Sequence, residues 1–337
     1  MHIGDQTVAE LGEDSLLARI VPTMPAGQTL VGNGDDAAVL PTISGSVIAC
    51  ADILVQDRHF RTEWSTGADV GWRATMANLS DISAMGGRAT HVLVSLVLPT
   101  TTPVDWVDDL ALGVAEACAA GREAWGHPVG VAGGDLSSGR EIAVAVTALG
   151  TLDGGRPLTR SGAQIGDTLA LGGTLGMSAA GLALGKDGTI PREEGPAADA
   201  WRVFRRPAPP LALGRAAAAA GATAAMDISD GLGRDALRLA RASGVHVQIG
   251  MARPSAALVE VARLLDVPDA VAQAAQWWRS GGEDHALLAT FPQGNELPAG
   301  FTPIGAVTDV ADGGRVSFAE ASDGSLGWDH FAGVEEG

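Results

Sequence analysis

The 337-residue sequence predicts a two-domain α/β protein, and three observations carry that expectation. The chain is long enough for roughly two domains of about 150 residues each. Short apolar runs of strand length alternate with amphipathic helical segments along its whole length. The turn-rich stretch Gly154-Gly155-Arg156-Pro157 divides that alternation into an N-terminal part, residues 1–152, and a C-terminal part, residues 153–337.

In the first part, Asp14 or Ser15 can cap a helix carrying Leu16, Ile20 and Val21, which Pro22 to Pro25 end. Val31 to Val39 places Asp35 and Asp36 between a glycine turn and an apolar strand. Strand neighbours face opposite ways, so one acid faces a ligand and the other caps locally, unless the pair is a plain turn. Ala37 to Leu40 and Val47 to Ala51 are expected strands, the second ending in Asp52. Thr66-Gly67-Ala68-Asp69 resembles a capping box, with Asp in place of Glu or Gln, opening a helix to about Met85. On that helix Ala74, Asn78 and Asp81 share one face. His91 to Leu98 is an expected strand, and Pro103 opens a long helix through Trp125. A strand at Val129 to Ala132 runs into Gly133-Gly134-Asp135, and Glu141 to Leu152 completes the first sheet.

In the second part, Asp167 to Gly172 is an expected strand, Thr174 to Leu184 a helix, and Arg205 to Pro210 a stiff connector. Asp227-Ile228-Ser229-Asp230-Gly231 precedes a helix from Leu232 to Ser243, which Gly244 stops. Carboxylates at such a start can cap the helix, or hold metal ions with their phosphates. Val245 to Ile249 and Ala286 to Phe291 are strands, Ser255 to Leu265 is a helix, and Gly281-Gly282-Glu283-Asp284-His285 leads into the last strand.

Composition narrows the function. A net charge of −18, with Lys186 the only lysine, argues against a nucleic-acid or anionic-membrane surface, because both require basic stripes. Cys50 and Cys118 are too few for a disulfide framework or a zinc site. No basic segment followed by an apolar run opens the chain, so a cytoplasmic protein is expected. Asp35, Asp36, Asp52, Asp135, Asp227, Asp230, Glu283 and Asp284 lie beside glycines or at expected strand ends, and Asp81 joins them from the helix face of Asn78. Such oxygen donors suit hard cations such as Mg²⁺. Converging carboxylates without a cation would repel one another, so metal-bridged phosphate groups are expected. P-loop, protein-kinase, Rossmann, Gly-x-Ser-x-Gly and His-Glu-x-x-His signatures are all missing.

Six ordered motifs carry a resemblance spanning nearly the whole chain. They are Gly34-Asp35-Asp36-Ala37-Ala38; Asp52-Ile53-Leu54-Val55 with His59-Phe60; Asn78-Leu79-Ser80-Asp81 with Ala84-Met85-Gly86; Gly133-Gly134-Asp135; Asp227-Ile228-Ser229-Asp230-Gly231; and Gly281-Gly282-Glu283-Asp284. In this order they resemble the thiamine-monophosphate kinase family of the aminoimidazole ribonucleotide synthetase superfamily. The resemblance implies that superfamily's two-domain α/β (α+β) fold. Its N-terminal domain would have a mixed sheet, bind ATP and metal, and form a homodimer. It also implies ATP-dependent phosphorylation of thiamine monophosphate.

Carried over residue by residue, the likeness assigns Asp35, Asp52, Asp81, Asp135, Asp227 and Asp230 to Mg²⁺, with Asp81, Asp135 and Asp230 closest to catalysis. It assigns Gly134, Asp135, Arg160 and Ser229 to ATP, and His59, Glu283 and Trp328 to thiamine monophosphate. At the metal position before Asp52 the family usually has hydroxyl residues, whereas this chain has Cys50-Ala51, which leaves backbone carbonyls as metal contacts there. The family's Tyr after Gly-Gly-Glu-Asp is His285. Selenophosphate synthetases differ in carrying an N-terminal reactive Cys or selenocysteine, and nothing comparable precedes Cys50. A purine-pathway synthetase, or a non-catalytic maturation protein of the same fold, is the remaining alternative.

Overall fold

A computed structural model describes residues 6–11, 13–25, 28, 45–191, 193–309, 314–319 and 327. Asp35, Asp36, the expected strand at 37–40 and Trp328 lie outside them. The chain divides into two compact units, Met1–Pro157 and Leu158–Gly337, so the division falls at the far end of the Gly154–Pro157 stretch.

The first unit opens with helices α1 (Val8–Leu11) and α2 (Glu13–Ile20). It continues through β1 (Val47–Val55), α3 (Gly67–Ala84), β2 (Arg88–Leu98), α4 (Val104–Trp125), β3 (Gly130–Ser138) and β4 (Ala143–Thr151). The sheet order is β1-β4-β2-β3, antiparallel except for the parallel pair β2–β3. Val92, Val94 and Leu96 of β2 and Val144, Val146 and Ala148 of β4 are buried, and α3 lies against these strands with α4 packed along it. Two expectations change. The strand does not end at Asp52, because Ile53-Leu54-Val55 continues the pairing with β4, so Asp52 sits mid-strand. The strand expected at Val129 to Ala132 does not stop there but continues through Gly133-Gly134-Asp135 in β3, paired with Leu93-Val94-Ser95.

In the second unit the elements are β5 (Thr168–Gly172), α5 (Met177–Asp187), α6 (Pro196–Arg205), α7 (Leu213–Ala219), β6 (Ala224–Ile228), α8 (Leu232–Ser243), β7 (His246–Ile249), α9 (Ala256–Leu264), α10 (Ala270–Ser280), β8 (Ala286–Phe291), β9 (Phe301–Thr308) and β10 (Arg315–Phe318). The sheet runs β10-β7-β9-β5-β8-β6. One core joins α8 to the strands through Ile228, Leu232, Leu239, Val247 and Leu288. A second core gathers α5, α6, α9 and α10 around Leu184, Val261 and Trp277.

Helix α3 begins where the sequence places it. Thr66 accepts the Asp69 N–H at 3.2 Å while Asp69 accepts the Thr66 N–H at 3.0 Å, so Asp serves the reciprocal cap despite its shorter side chain. Thr66→Ala is expected to lower stability by about 1 kcal/mol. The check is the urea unfolding midpoint, which should fall at unchanged slope.

Candidate active site

The first unit brings Cys50, Asn78, Asp52 and Asp81 to one place. Cys50 and Asp52 share a strand face by alternation. The Cys50 thiol donates to the Asn78 carbonyl at 3.4 Å and to Asn78 Oδ1 at 3.6 Å, while Asn78 Nδ2 donates to the Ala74 carbonyl at 3.0 Å. Burial first, then the charges of Asp81 and Asp52, push the thiol far above its ordinary range, so it is held as a neutral donor. Asp81 occupies the last turn of α3, where the partial negative charge of the helix end disfavours a carboxylate. A cation at that spot would reverse the penalty. Ala51, next along β1, faces the opposite side from Cys50 and is exposed.

Asp135 is not brought to the same point. Asp52 lies in the cross-strand row Asp52–Val146–Val94–Gly134, on edge strand β1, and Asp135 follows Gly134 on the opposite edge, β3. Three strand spacings separate these edges, about 14 Å between backbones. Gly134 has its own structural reason: a Cβ there would stand 1.8 Å from the Val94 carbonyl oxygen, so only glycine permits this approach of β3 to β2. His59 Nδ1 accepts the Val55 N–H at 3.0 Å. That bond places the proton of the neutral ring on Nε2, a donor suited to a phosphate oxygen.

The second unit interlocks the Asp227–Asp230 and Gly281–His285 motifs. The Glu283 N–H donates to the Ser229 carbonyl at 2.9 Å, and His285 Nδ1 lies 3.3 Å from Asp227 Oδ2. A Cβ on Gly282 would fall 2.3 Å from the Ser229 carbonyl oxygen, which is why this loop requires glycine. Glu283 and His285 both adopt positive φ, at 67° and 53°, flanking Asp284. Gly327 packs against the Asp230 carbonyl oxygen, directly before Trp328 in sequence. Arg160 follows Thr159, whose carbonyl accepts the Ala225 N–H in β6, and the Arg160 carbonyl itself accepts from Ser243 at the C-terminal end of α8.

Asp284, counted with the glycine-associated acids, is a helix cap. Its Oδ2 accepts the Gly176 and Ser178 N–H groups at 3.1 and 3.3 Å, and its Oδ1 accepts that of Met177 at 3.0 Å, at the start of α5. Two charged residues escaped the sequence reading. Asp235 is fully buried and accepts the Asp230 N–H, and Arg238 bridges Asp235 and Asp230. The signal was there: an acid in the first turn of a helix beginning at Leu232, with a base three residues on. Among the described residues no group of three or more His, Cys, Asp or Glu is arranged to hold a metal ion. The carboxylate pairs Asp52/Asp81 and Asp227/Asp230 nevertheless suit Mg²⁺, which takes one or two carboxylates and completes its shell with water and phosphate oxygens.

Residues 34–152 match the family model described as AIR synthase related protein, N-terminal domain. With the two-unit α/β architecture, this defines the class: a protein of the AIR synthase related fold. At 41% identity the chain resembles the thiamine-monophosphate kinase of Mycobacterium tuberculosis, with 96% of this chain and 93% of that protein covered. The Corynebacterium glutamicum thiamine-monophosphate kinase is 40% identical, with 90% and 88% covered. A solved structure of AaThiL complexed with AMPPCP and TMP aligns with a TM-score of 0.75 at 29% identity, covering 97% of this chain and 99% of that one. The chain belongs to the thiamine-monophosphate kinase family. A hydrogenase maturation protein also aligns, with a TM-score of 0.64 at 15% identity over 91% of this chain and 93% of that one, a likeness of fold alone.

Burial pushes the Asp284 carboxyl up to about 7, against the opposing N–H groups of Ser178, Met177 and Gly176, and burial likewise pushes Asp235 up to about 6. Both start from 3.8. Between these limits the folded protein keeps protons that the unfolded chain has released, so the stability they contribute is present below about pH 4 and is lost as pH rises toward 7. In metal-free protein Asp284→Asn should flatten this decline. Urea unfolding across that pH range provides the check, and an unaltered slope would refute the account.

Proposed function

We propose that this chain transfers the γ-phosphoryl group of ATP to the phosphate of thiamine monophosphate, forming thiamine diphosphate by direct in-line displacement with several Mg²⁺ ions. The observation that carries this reading is the likeness to a kinase of that name at 41% identity over 96% of the chain. The full-length alignment with AaThiL complexed with AMPPCP and TMP adds support.

The acceptor is a phosphate monoester with a second pKa of about 6, so its attacking oxygen is already largely ionised at neutral pH. No side chain need act as a strong base, and positioning with charge neutralisation is the task. Bound Mg²⁺ would supply charge neutralisation for roughly six negative charges on the two substrates, which favours three or more ions. In the first unit Asp52 and Asp81, with Asp35, Asp135 and the Cys50 and Ala51 carbonyls, are the proposed holders of metal; in the second they are Asp227 and Asp230. Asp81, Asp135 and Asp230 act closest to the transferred group. Gly134, Asp135, Arg160 and Ser229 contact ATP, and His59, Glu283 and Trp328 contact thiamine monophosphate.

A homodimer through the first units belongs to the same reading. It is supported by edge strand β1, whose Val47 and Ile53 are 56% and 53% exposed on one face with Ala49 and Ala51 between them. A cytoplasmic location also belongs to it, and no described helix is long and apolar enough to cross a membrane.

The direct test is purified protein with ATP, Mg²⁺ and thiamine monophosphate, monitored for thiamine diphosphate, with an aminoimidazole-pathway substrate and selenide as controls. Product from thiamine monophosphate alone is expected, and its absence would overturn the reading. Asp81→Asn should reduce turnover by about 100-fold or more while leaving the melting temperature near that of the parent protein. Near-normal turnover would remove Asp81 from the metal site.

A further inference from the structure

The carboxylate of Asp230 is gripped from behind by two residues with no assigned role. Arg238 Nη1 donates to Asp230 Oδ2 and to Asp235 Oδ1, both at 2.6 Å. Asp235 Oδ2 in turn accepts the Asp230 backbone N–H at 2.9 Å, which closes a ring through the backbone and side chain of the same residue. Arg234 Nε stands 3.9 Å from Asp230, again at Oδ2. Among the described residues both guanidinium contacts therefore fall on one oxygen, and Oδ1 is the oxygen left for another cation.

An ordinary ion pair on a helix surface would explain Arg238 and Asp235, which are three residues apart, but such pairs are solvated and weak. Here the Asp235 side chain has 0% exposure and that of Asp230 15%, so the carboxylates are shielded although Arg238 reaches them from a 36% exposed position, and the contacts are charge-assisted. The neighbouring Asp227 adds a third carboxylate whose charge reaches Asp235. Two guanidinium groups, Arg238 and the more distant Arg234, still fall one short of three carboxylates, and the cluster retains negative charge toward a cation.

We propose that Arg238, anchored by Asp235, is a positioning residue that locks the Asp230 carboxylate through Oδ2 and so presents Oδ1 to the metal-bound nucleotide. This rests on the reading of Asp230 as a metal ligand. Partners of this kind set the orientation of the groups that touch the metal, and their loss costs about 10- to 100-fold in metal affinity or activity.

The experiment compares Arg238→Gln, Arg238→Lys and Asp230→Asn with the parent protein. Two readouts are taken: Mn²⁺ binding to nucleotide-free protein by electron paramagnetic resonance, and the Mg²⁺ concentration for half-maximal turnover at fixed ATP. Arg238→Gln should weaken both by about 10- to 100-fold, at a temperature where circular dichroism shows it folded. Arg238→Lys, which keeps the charge but not the planar fork, should fall between. If Asp230→Asn is impaired while Arg238→Gln keeps the parent's metal dependence or binds Mn²⁺ more tightly, the positioning role is overturned and Asp230 stands. If Asp230→Asn changes neither readout, Asp230 is not a ligand and both readings fall together. Should Arg238→Gln fail to fold, Arg238→Lys decides: parent-like behaviour in both readouts overturns the role of the shared guanidinium.

Discussion

Buried carboxylates must be compensated, and in the second unit Asp284, Asp235 and Asp227 are compensated by three different devices. Asp284 receives three N–H groups from the start of α5. Asp235 receives the Asp230 N–H and the Arg238 guanidinium. Asp227 lies beside the ring of His285. These bonds join β6, the start of α8 and the approach to β8 into one corner, and they account for the glycines there. A side chain at 282 would meet the Ser229 carbonyl that Glu283 bonds, and one at 281 would meet the Trp277 carbonyl and Ala179. The positive φ of Glu283 and His285 is the strain accepted for turning Asp284 inward while its neighbours point elsewhere.

In the first unit the acids are less enclosed, with Asp52 exposed and Asp81 partly buried. Asp81 stands at the wrong end of its helix for a negative charge, and Cys50 beside it is kept protonated by burial first and then by that charge. A serine or threonine at position 50 would offer an oxygen to a hard cation. The thiol here instead spends its proton on Asn78. A hard cation held at this strand would therefore have only carboxylates and backbone carbonyls to bind, in keeping with the softness of sulfur.

Much of the fold was legible in the sequence, for physical reasons that differ by element. The start of α3 could be read because its cap is local chemistry between Thr66 and Asp69. The stop of α8 could be read because Gly244 takes a left-handed conformation. The continuation of β1 past Asp52 could not, since a polar residue on an edge strand looks like an end until its partner in β4 is known. Gly133-Gly134 misled for a related reason: glycine permits close approach to whatever lies opposite, and that proved to be Val94. In the site, the motif residues were visible one by one. The bonds of Asp284 to α5 and of Arg238 to Asp230 link segments whose pairing no spacing rule specifies.

The register of the first sheet also constrains how many cations its carboxylates can serve. Two ligands of one Mg²⁺, each about 2.1 Å from the ion, can lie no more than about 4 Å apart. Asp52 and Asp135 start from backbones about 14 Å apart across three strand spacings, and two aspartate side chains reaching toward each other close only about 6 Å of that. A single ion within one protomer therefore cannot be shared by both. Asp81, drawn to Asp52 by the packing of α3 on β1, lies with the β1 edge, and any ion held by Asp135 would be a different one. The sheet geometry thus arrives at the same demand as the charge count of the two substrates: if both aspartates hold metal, more than one cation is needed.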